Sequence, residues 1–181
     1  MRLHLVFRMV NIPGMKEPNV VTHLLEDDGV IPNNATLPLL VYPGAVKGES
    51  MQGVRQRILA NNWHGAWAGS VYSFHHYHST AHEVLGCFQG SATVQFGGES
   101  GPKVEIQAGD GVVIPAGVGH KKISSSADFQ VIGAYPAGQE VDMCGEEETS
   151  REEIIDRIQG LANPKTDPFY GEDGPLARLW A

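Results

Sequence analysis

Apolar residues occur along this chain in short runs that alternate with polar ones, and glycine or proline closes most of them. That pattern predicts strands joined by turns. A first strand is expected over residues 20–25, ended by the acidic turn Glu26-Asp27-Asp28-Gly29, and a second over 37–42, closed by Pro43-Gly44. Further runs at 83–89, 92–96, 103–107, 112–114 and 129–135 are separated by turns at Gly90, 97–102 and 109–111. Between 67 and 78 the alternation predicts a long strand. It sends Tyr72, Phe74, His76 and His78 to one face and Val71, Ser73, His75 and Tyr77 to the other.

The period changes to that of a helix in two places. Over 50–61, Met51, Val54, Ile58 and Leu59 share a face opposite Arg55, Gln56 and Arg57, which predicts a surface helix lying on a sheet. After Glu146-Glu147-Glu148, read as a solvated acidic turn, Ser150 and Glu153 have the spacing of a capping box. Ile154, Ile155, Ile158 and Leu161 follow as its buried stripe. The tail, 163–181, carries three prolines and reads as loop. Many short strands with two helices and no internal repeat predict an all-β domain, closed or two-sheeted, of the jelly-roll type.

Composition narrows the partners. With 181 residues, a net charge of −8 and only 13 Lys plus Arg in no basic stripe, the chain would be repelled by a nucleic-acid backbone or an anionic membrane. No run approaches the length that spans a bilayer. The first ten residues carry Arg2 and Arg8 without a long apolar core, so no signal peptide is expected. Cys87 and Cys144 are too few for a disulfide framework and are read as reduced thiols of a cytoplasmic protein.

The chemistry concentrates in the histidines, four of which fall within residues 75–82. On a strand, His76 and His78 stand on one face roughly 7 Å apart, close enough for both rings to converge on one ion. Glu83 follows across the short turn Ser79-Thr80-Ala81; if it opens the partner strand, its carboxylate faces the same point, and Leu85 and Cys87 share its face. His120 comes just after Pro115-Ala116-Gly117, where proline fixes the approach and glycine permits a turn that a Cβ would resist. A one-residue slip would put His82 in place of Glu83. His75 is expected at the surface or an interface.

Two spaced patterns then stand out. His76-x-His78-x4-Glu83-x6-Gly90 resembles the first cupin motif, and Gly109-x5-Pro115-x-Gly117-x2-His120 the second. Gly69 lies one residue further from His76 than the pattern has it, and Ser124 stands where an asparagine is usual; neither touches a ligand. The string from His75 to Gly86 is also similar to YjlB-like single-domain bacterial cupins, a likeness that extends from Asp27-Asp28-Gly29 to Asp167-Pro168-Phe169-Tyr170-Gly171. The resemblance implies a double-stranded β-helix (the RmlC-like cupin barrel) with a few peripheral helices. It also implies a metal held by His76, His78, Glu83 and His120, and a homodimer, with 20–25 as the candidate contact. One domain is expected over 1–181, with its barrel over 62–136, an N-terminal arm over 1–61 and a C-terminal helix and tail over 146–181.

Three imidazoles and a carboxylate suit one divalent transition metal, Fe, Mn, Ni or Zn, with about two positions open. Tyr72, Phe74 and Leu85 either fill the core or line a substrate pocket. Cys87, on the same face, reads as a small buried hydrophobe or a pocket residue. Trp63, Trp67 and Trp180 read as packing groups. The expected function is a metal-dependent enzyme on a small molecule, of the dioxygenase or isomerase type, with a non-catalytic binding or sensing module as the alternative. No separate acid or base is named.

Overall fold

The computed structural model describes residues 18–146 and 150–181. Glu147, Glu148 and the first ten residues, on which two of the readings above fall, lie outside them. The elements follow in the order β1 (Val21–Leu25), β2 (Asn34–Tyr42), α1 (Met51–Ala60), β3 (Trp63–Gly69), β4 (Glu83–Gln89), β5 (Ser91–Phe96) and β6 (Lys103–Gln107). Then come β7 (Gly111–Ile114), β8 (His120–Ser125), β9 (Gln130–Pro136), α2 (Arg151–Gly160) and α3 (Pro175–Leu179). Antiparallel pairing builds a six-stranded sheet in the order β1-β2-β7-β4-β9-β3 and a three-stranded sheet in the order β6-β5-β8. This is the expected mostly-β jelly roll with peripheral helices. No helix among the described residues is long and apolar enough to cross a membrane.

The middle of the larger sheet, β2, β7, β4 and β9, is buried on both faces. Leu39 and Val41 of β2, Leu85 and Cys87 of β4, Val112 and Ile114 of β7 and Val131 of β9 point between the sheets, where they meet Val94, Phe96 and Ile106. Their neighbours Leu40, Tyr42, Val84, Val113, Ile132 and Ala134 point outward and are covered by Val54 and Ile58 of α1, by Trp63, and by Phe169, Leu176 and Trp180 of the tail. A ten-residue helix is marginal alone, so α1 is held by that packing, at about 1.5–3 kcal/mol for each fully buried aliphatic side chain.

Three expectations are corrected here. The strand expected over 67–78 is instead β3, which begins at Trp63 and pairs with β9 until Gly69 meets Val131. The chain then leaves the ladder, because residues 70–82 must cross from the six-stranded sheet to β8, where His76 forms an isolated bridge with His120. The tail is not loop: Asp167, Phe169, Leu176 and Trp180 are buried, and 175–179 are helical. Ser150 does cap α2 by position but its side chain makes no capping hydrogen bond, so the capping box is not formed.

The first helix is capped in earnest, since the Ser50 hydroxyl accepts from the Gly53 amide at 3.2 Å. Ser50→Ala is therefore expected to cost about 1 kcal/mol and Ser150→Ala only a few tenths. Chemical denaturation of the two variants checks this, and equal losses would contradict the capping geometry.

Candidate metal centre

Four side chains meet at one end of the sandwich, each delivered by a different local device. Glu83 opens β4, paired with Ile114 of β7, and its side chain shares the inward face with Leu85. His120 opens β8 after the turn in which the Val118 amide donates to the Pro115 carbonyl at 3.1 Å. Gly117 has φ +89° and sits against the Asn33 carbonyl, 2.3 Å from where a Cβ would be, so no other residue fits there without displacing backbone. The Gly117 amide donates to the His78 carbonyl at 2.8 Å, which ties the two distant segments together beside the centre. His76 and His120 exchange backbone hydrogen bonds of 3.3 and 2.9 Å, which brings their rings to a centroid distance of 4.0 Å.

The ligand nitrogens of His76, His78 and His120 all lie within 4.8 Å of one another, and all three rings are buried. Each ring's Nδ1 faces a backbone carbonyl: Asp142 for His78 at 2.6 Å, Val118 for His120 at 3.1 Å and Phe74 for His76 at 3.3 Å. A carbonyl only accepts, so these contacts select the tautomer with the proton on Nδ1 and leave an Nε2 lone pair on each ring. Glu83 Oε2 is 3.3 Å from His78 Nε2 and 3.2 Å from His120 Nε2, yet this buried oxygen has no hydrogen bond.

A buried carboxylate oxygen facing lone pairs is unfavourable unless a cation sits among them. Nitrogen and oxygen ligands at about 2.1 Å from an octahedral ion stand roughly 3 Å apart when adjacent. The separations from Glu83 fit that spacing, so the donor set and its orphaned oxygen suit a divalent metal.

Electrostatics without a metal point the same way. Burial, together with His120, pushes His76 down to about 3. Burial opposes charge on His78 and Glu83 too, but contacts outweigh it: Glu83 raises His78, and His120 followed by His78 holds Glu83 far below the usual carboxylate range. Positive charge beside Glu83 is thus favoured, and a bound cation would supply it.

His82 is not part of the centre. Its Nδ1 accepts from the Ala116 amide at 3.0 Å, its ring packs on Trp180 at 4.8 Å, and burial pushes its pKa down to about 4, so it is a neutral packing group. His75 is buried rather than at the surface, with Nε2 3.6 Å from Glu99, because the strand alternation that would turn it outward ends at Gly69.

A cavity of about 350 Å³ opens onto the centre, lined by His76, His78, Glu83 and His120 together with Trp67, Val71, Tyr72, Leu85, Tyr135 and Met143. Leu85 and Tyr72 therefore line it, though Tyr72 is half-exposed and fills no core. Phe74 and Cys87 do not line it. Phe74 has left the sheet and stacks on Tyr72 at 5.0 Å, half in solvent. Cys87 lies deeper, in the core between the sheets, where burial pushes its thiol up to about 11.

Sequence reasoning missed Tyr135 and Trp67 as site residues. Trp67 Nε1–H donates to the Tyr135 hydroxyl at 3.1 Å, and burial and the neighbouring Glu83 charge raise the Tyr135 pKa. Only the pairing of β9 beside β4 brings Tyr135 here, and no short-range signal announces it.

Comparison with known proteins gives the family. Residues 62–131 match the cupin domain family. Over 165 residues the chain is 46% identical to the uncharacterized protein YjlB of Bacillus subtilis (strain 168), covering 91% of this chain and 98% of that one. Among solved structures, a Klebsiella pneumoniae protein with a double-stranded β-helix domain is 15% identical, with a TM-score of 0.37 and coverage of 82% and 98%. The DMSP lyase of Ruegeria pomeroyi is 17% identical, with a TM-score of 0.36 and coverage of 81% and 61%.

Proposed function

This chain belongs to the cupin family, close to YjlB, and from that premise we propose that His76, His78, Glu83 and His120 hold one divalent transition metal (Fe, Mn, Ni or Zn) that serves a small-molecule reaction in the adjoining cavity. One observation carries the reading: the ligand nitrogens of His76, His78 and His120 lie within 4.8 Å of one another, and an unbonded Glu83 oxygen stands 3.3 and 3.2 Å from those of His78 and His120. A bound metal would polarise a ligand oxygen as a Lewis acid or, as iron, engage O₂.

The protein's own part is positional. Backbone carbonyls hold the three rings, Trp67 steadies the Tyr135 hydroxyl beside Glu83, and Leu85 and Val71 keep water off one side. A dioxygenase or isomerase is the first reading. A non-catalytic binding or sensing module is the second.

The test is metal analysis of protein purified without chelators, followed by oxygen uptake and product analysis on pooled small molecules. About one ion per chain with turnover supports the enzyme. A protein that retains no metal ends the reading, and metal retained without turnover on any pool favours the module. A homodimer belongs to the same proposal, supported by edge strand β1, whose Val21 and Leu24 are exposed.

Asp142 is the strongest support behind the ligands. Its carboxylate accepts from the Ser79 amide at 2.7 Å, from the Ser79 hydroxyl and from the Thr80 amide, while its carbonyl holds His78. Asp142→Ala frees that turn without removing a ligand. Metal affinity is expected to fall by about 10–100-fold, the usual effect of losing a partner behind a ligand. Competition against a chromogenic chelator measures it, and unchanged affinity would show that the turn does not orient His78.

A further inference from the structure

The cavity is lopsided in its chemistry. One side presents the imidazoles and Glu83, and the others present Trp67, Val71, Leu85 and Met143. No lysine or arginine is among its lining residues, of those described; Lys122 touches the wall at Ser70 Oγ, 2.8 Å away. At the mouth Tyr72, Phe74 and Met143 are 50%, 52% and 54% exposed. The Tyr72 and Phe74 rings are stacked 5.0 Å apart at 20°, and Tyr72 stands edge-on to His76 at 5.2 Å. Two large aromatic faces thus stand half in water within one ring's width of the candidate metal ligands, an apolar surface of the kind that marks a recognition site.

Charge limits what can enter. On the metal reading above, on which this inference rests, three neutral imidazoles, one carboxylate and a divalent ion leave a single positive charge. No ammonium or guanidinium of the cavity lining adds to it. Uncompensated charge in a dry site is costly, so a ligand with one negative charge fits better than a neutral one or a dianion. About two open positions call for two donor atoms. The volume of about 350 Å³, room for roughly a dozen waters, admits a small molecule whose far end reaches the mouth.

We infer that the ligand is a monoanionic chelator: two oxygen donors on one flat, apolar or aromatic body, the donors facing His76, His78, Glu83 and His120 and the body lying against Tyr72, which Phe74 backs from outside the cavity. The charge selects the head, and the ring pair selects the tail.

The experiment uses the full chain loaded with Co(II), its metal content measured first, and titrates it by calorimetry with benzohydroxamate, acetohydroxamate and oxalate. The d–d bands of cobalt report whether each probe reaches the ion. Benzohydroxamate is expected to bind about ten-fold more tightly than acetohydroxamate after correction for their affinities for free Co(II). Tyr72→Ala and Phe74→Ala, with cobalt retained, should erase most of that ratio and leave acetohydroxamate unchanged.

If no cobalt is retained, the metal reading fails and this inference falls with it. If cobalt is retained but oxalate binds as tightly as benzohydroxamate, or the phenyl group gives no advantage, the inference alone is overturned. It is overturned too if Phe74→Ala splits an oligomer while the phenyl preference persists, since the ring pair would then face a second copy of the chain.

Discussion

A His78→Ala protein purified without chelators is expected to carry almost no transition metal, where the proposed centre predicts about one ion per chain for the parent. His78 is the most firmly held of the three rings. Its Nδ1–H donates to the Asp142 carbonyl at 2.6 Å, and its Nε2 stands 3.3 Å from Glu83 Oε2. Four-ligand zinc sites bind with about 10–16 kcal/mol. Each ligand thus accounts for roughly 3–4 kcal/mol, and its loss should weaken binding by about 10²–10³-fold. The ring's neighbours are His76, His120 and Tyr135 at the end of the sandwich, so thermal unfolding of the variant, run beside the metal analysis, shows whether the loss is specific. His82→Ala is the control four residues away. It removes a buried ring packed on Trp180 and should lower stability while leaving the metal content intact. Elemental analysis decides between them. Full metal in the His78 variant, or a metal-free His82 variant, would mean that the ligands are wrongly assigned.

The parts of this site that were legible in the chain are those written locally. His76 and His78 share a face because they are two apart, and this survives even though they lie outside a regular strand, since the bridge to His120 keeps the segment extended. Gly117 could be read from its neighbours because a turn is a local event. What escaped was set by distant contacts. Strand β8 was invisible because Lys121, Lys122, Ser124 and Ser125 give no apolar alternation; it pairs with β5 and turns its polar residues to water. The expected inward face of Tyr72 and Phe74 failed for the converse reason, since a good alternation does not ensure a partner strand. In the six-stranded sheet the inward and outward residues are both apolar, so the sequence signalled strands without saying that helix and tail would cover the outer side. Tyr135 enters the site only through β9's pairing with β4. Phe74 and Cys87, assigned to the pocket by parity alone, lie outside it and beneath it.

The tail shows how far a polar stretch can mislead, and it makes the second large prediction. Asp167 is wholly buried, and its carboxylate accepts from the Tyr42 hydroxyl at 2.8 Å and from the amides of Phe169, Tyr170 and Leu176 at 2.8, 3.0 and 3.0 Å. Those bonds fold the tail so that Phe169 lies over Gly111, where a Cβ would come within 2.3 Å of its ring, and so that Leu176 and Trp180 close the outer face of β2. Asp167→Ala leaves four donors, three of them buried, without an acceptor. Loss of one partner from a buried charged network costs about 3–5 kcal/mol, which for a chain of this size lowers Tm by roughly 6–20 °C. Asp167→Asn should cost less but not nothing: its amide oxygen can still serve two of the amides, while its NH₂ meets the Leu176 N–H donor head-on. The tail packs on the side of the sheet away from the four ligands, so metal bound per folded chain should not change in either variant. Thermal unfolding with and without added metal separates the two effects. A Tm within a degree of the parent's would mean that 163–181 is the loose tail its prolines suggested.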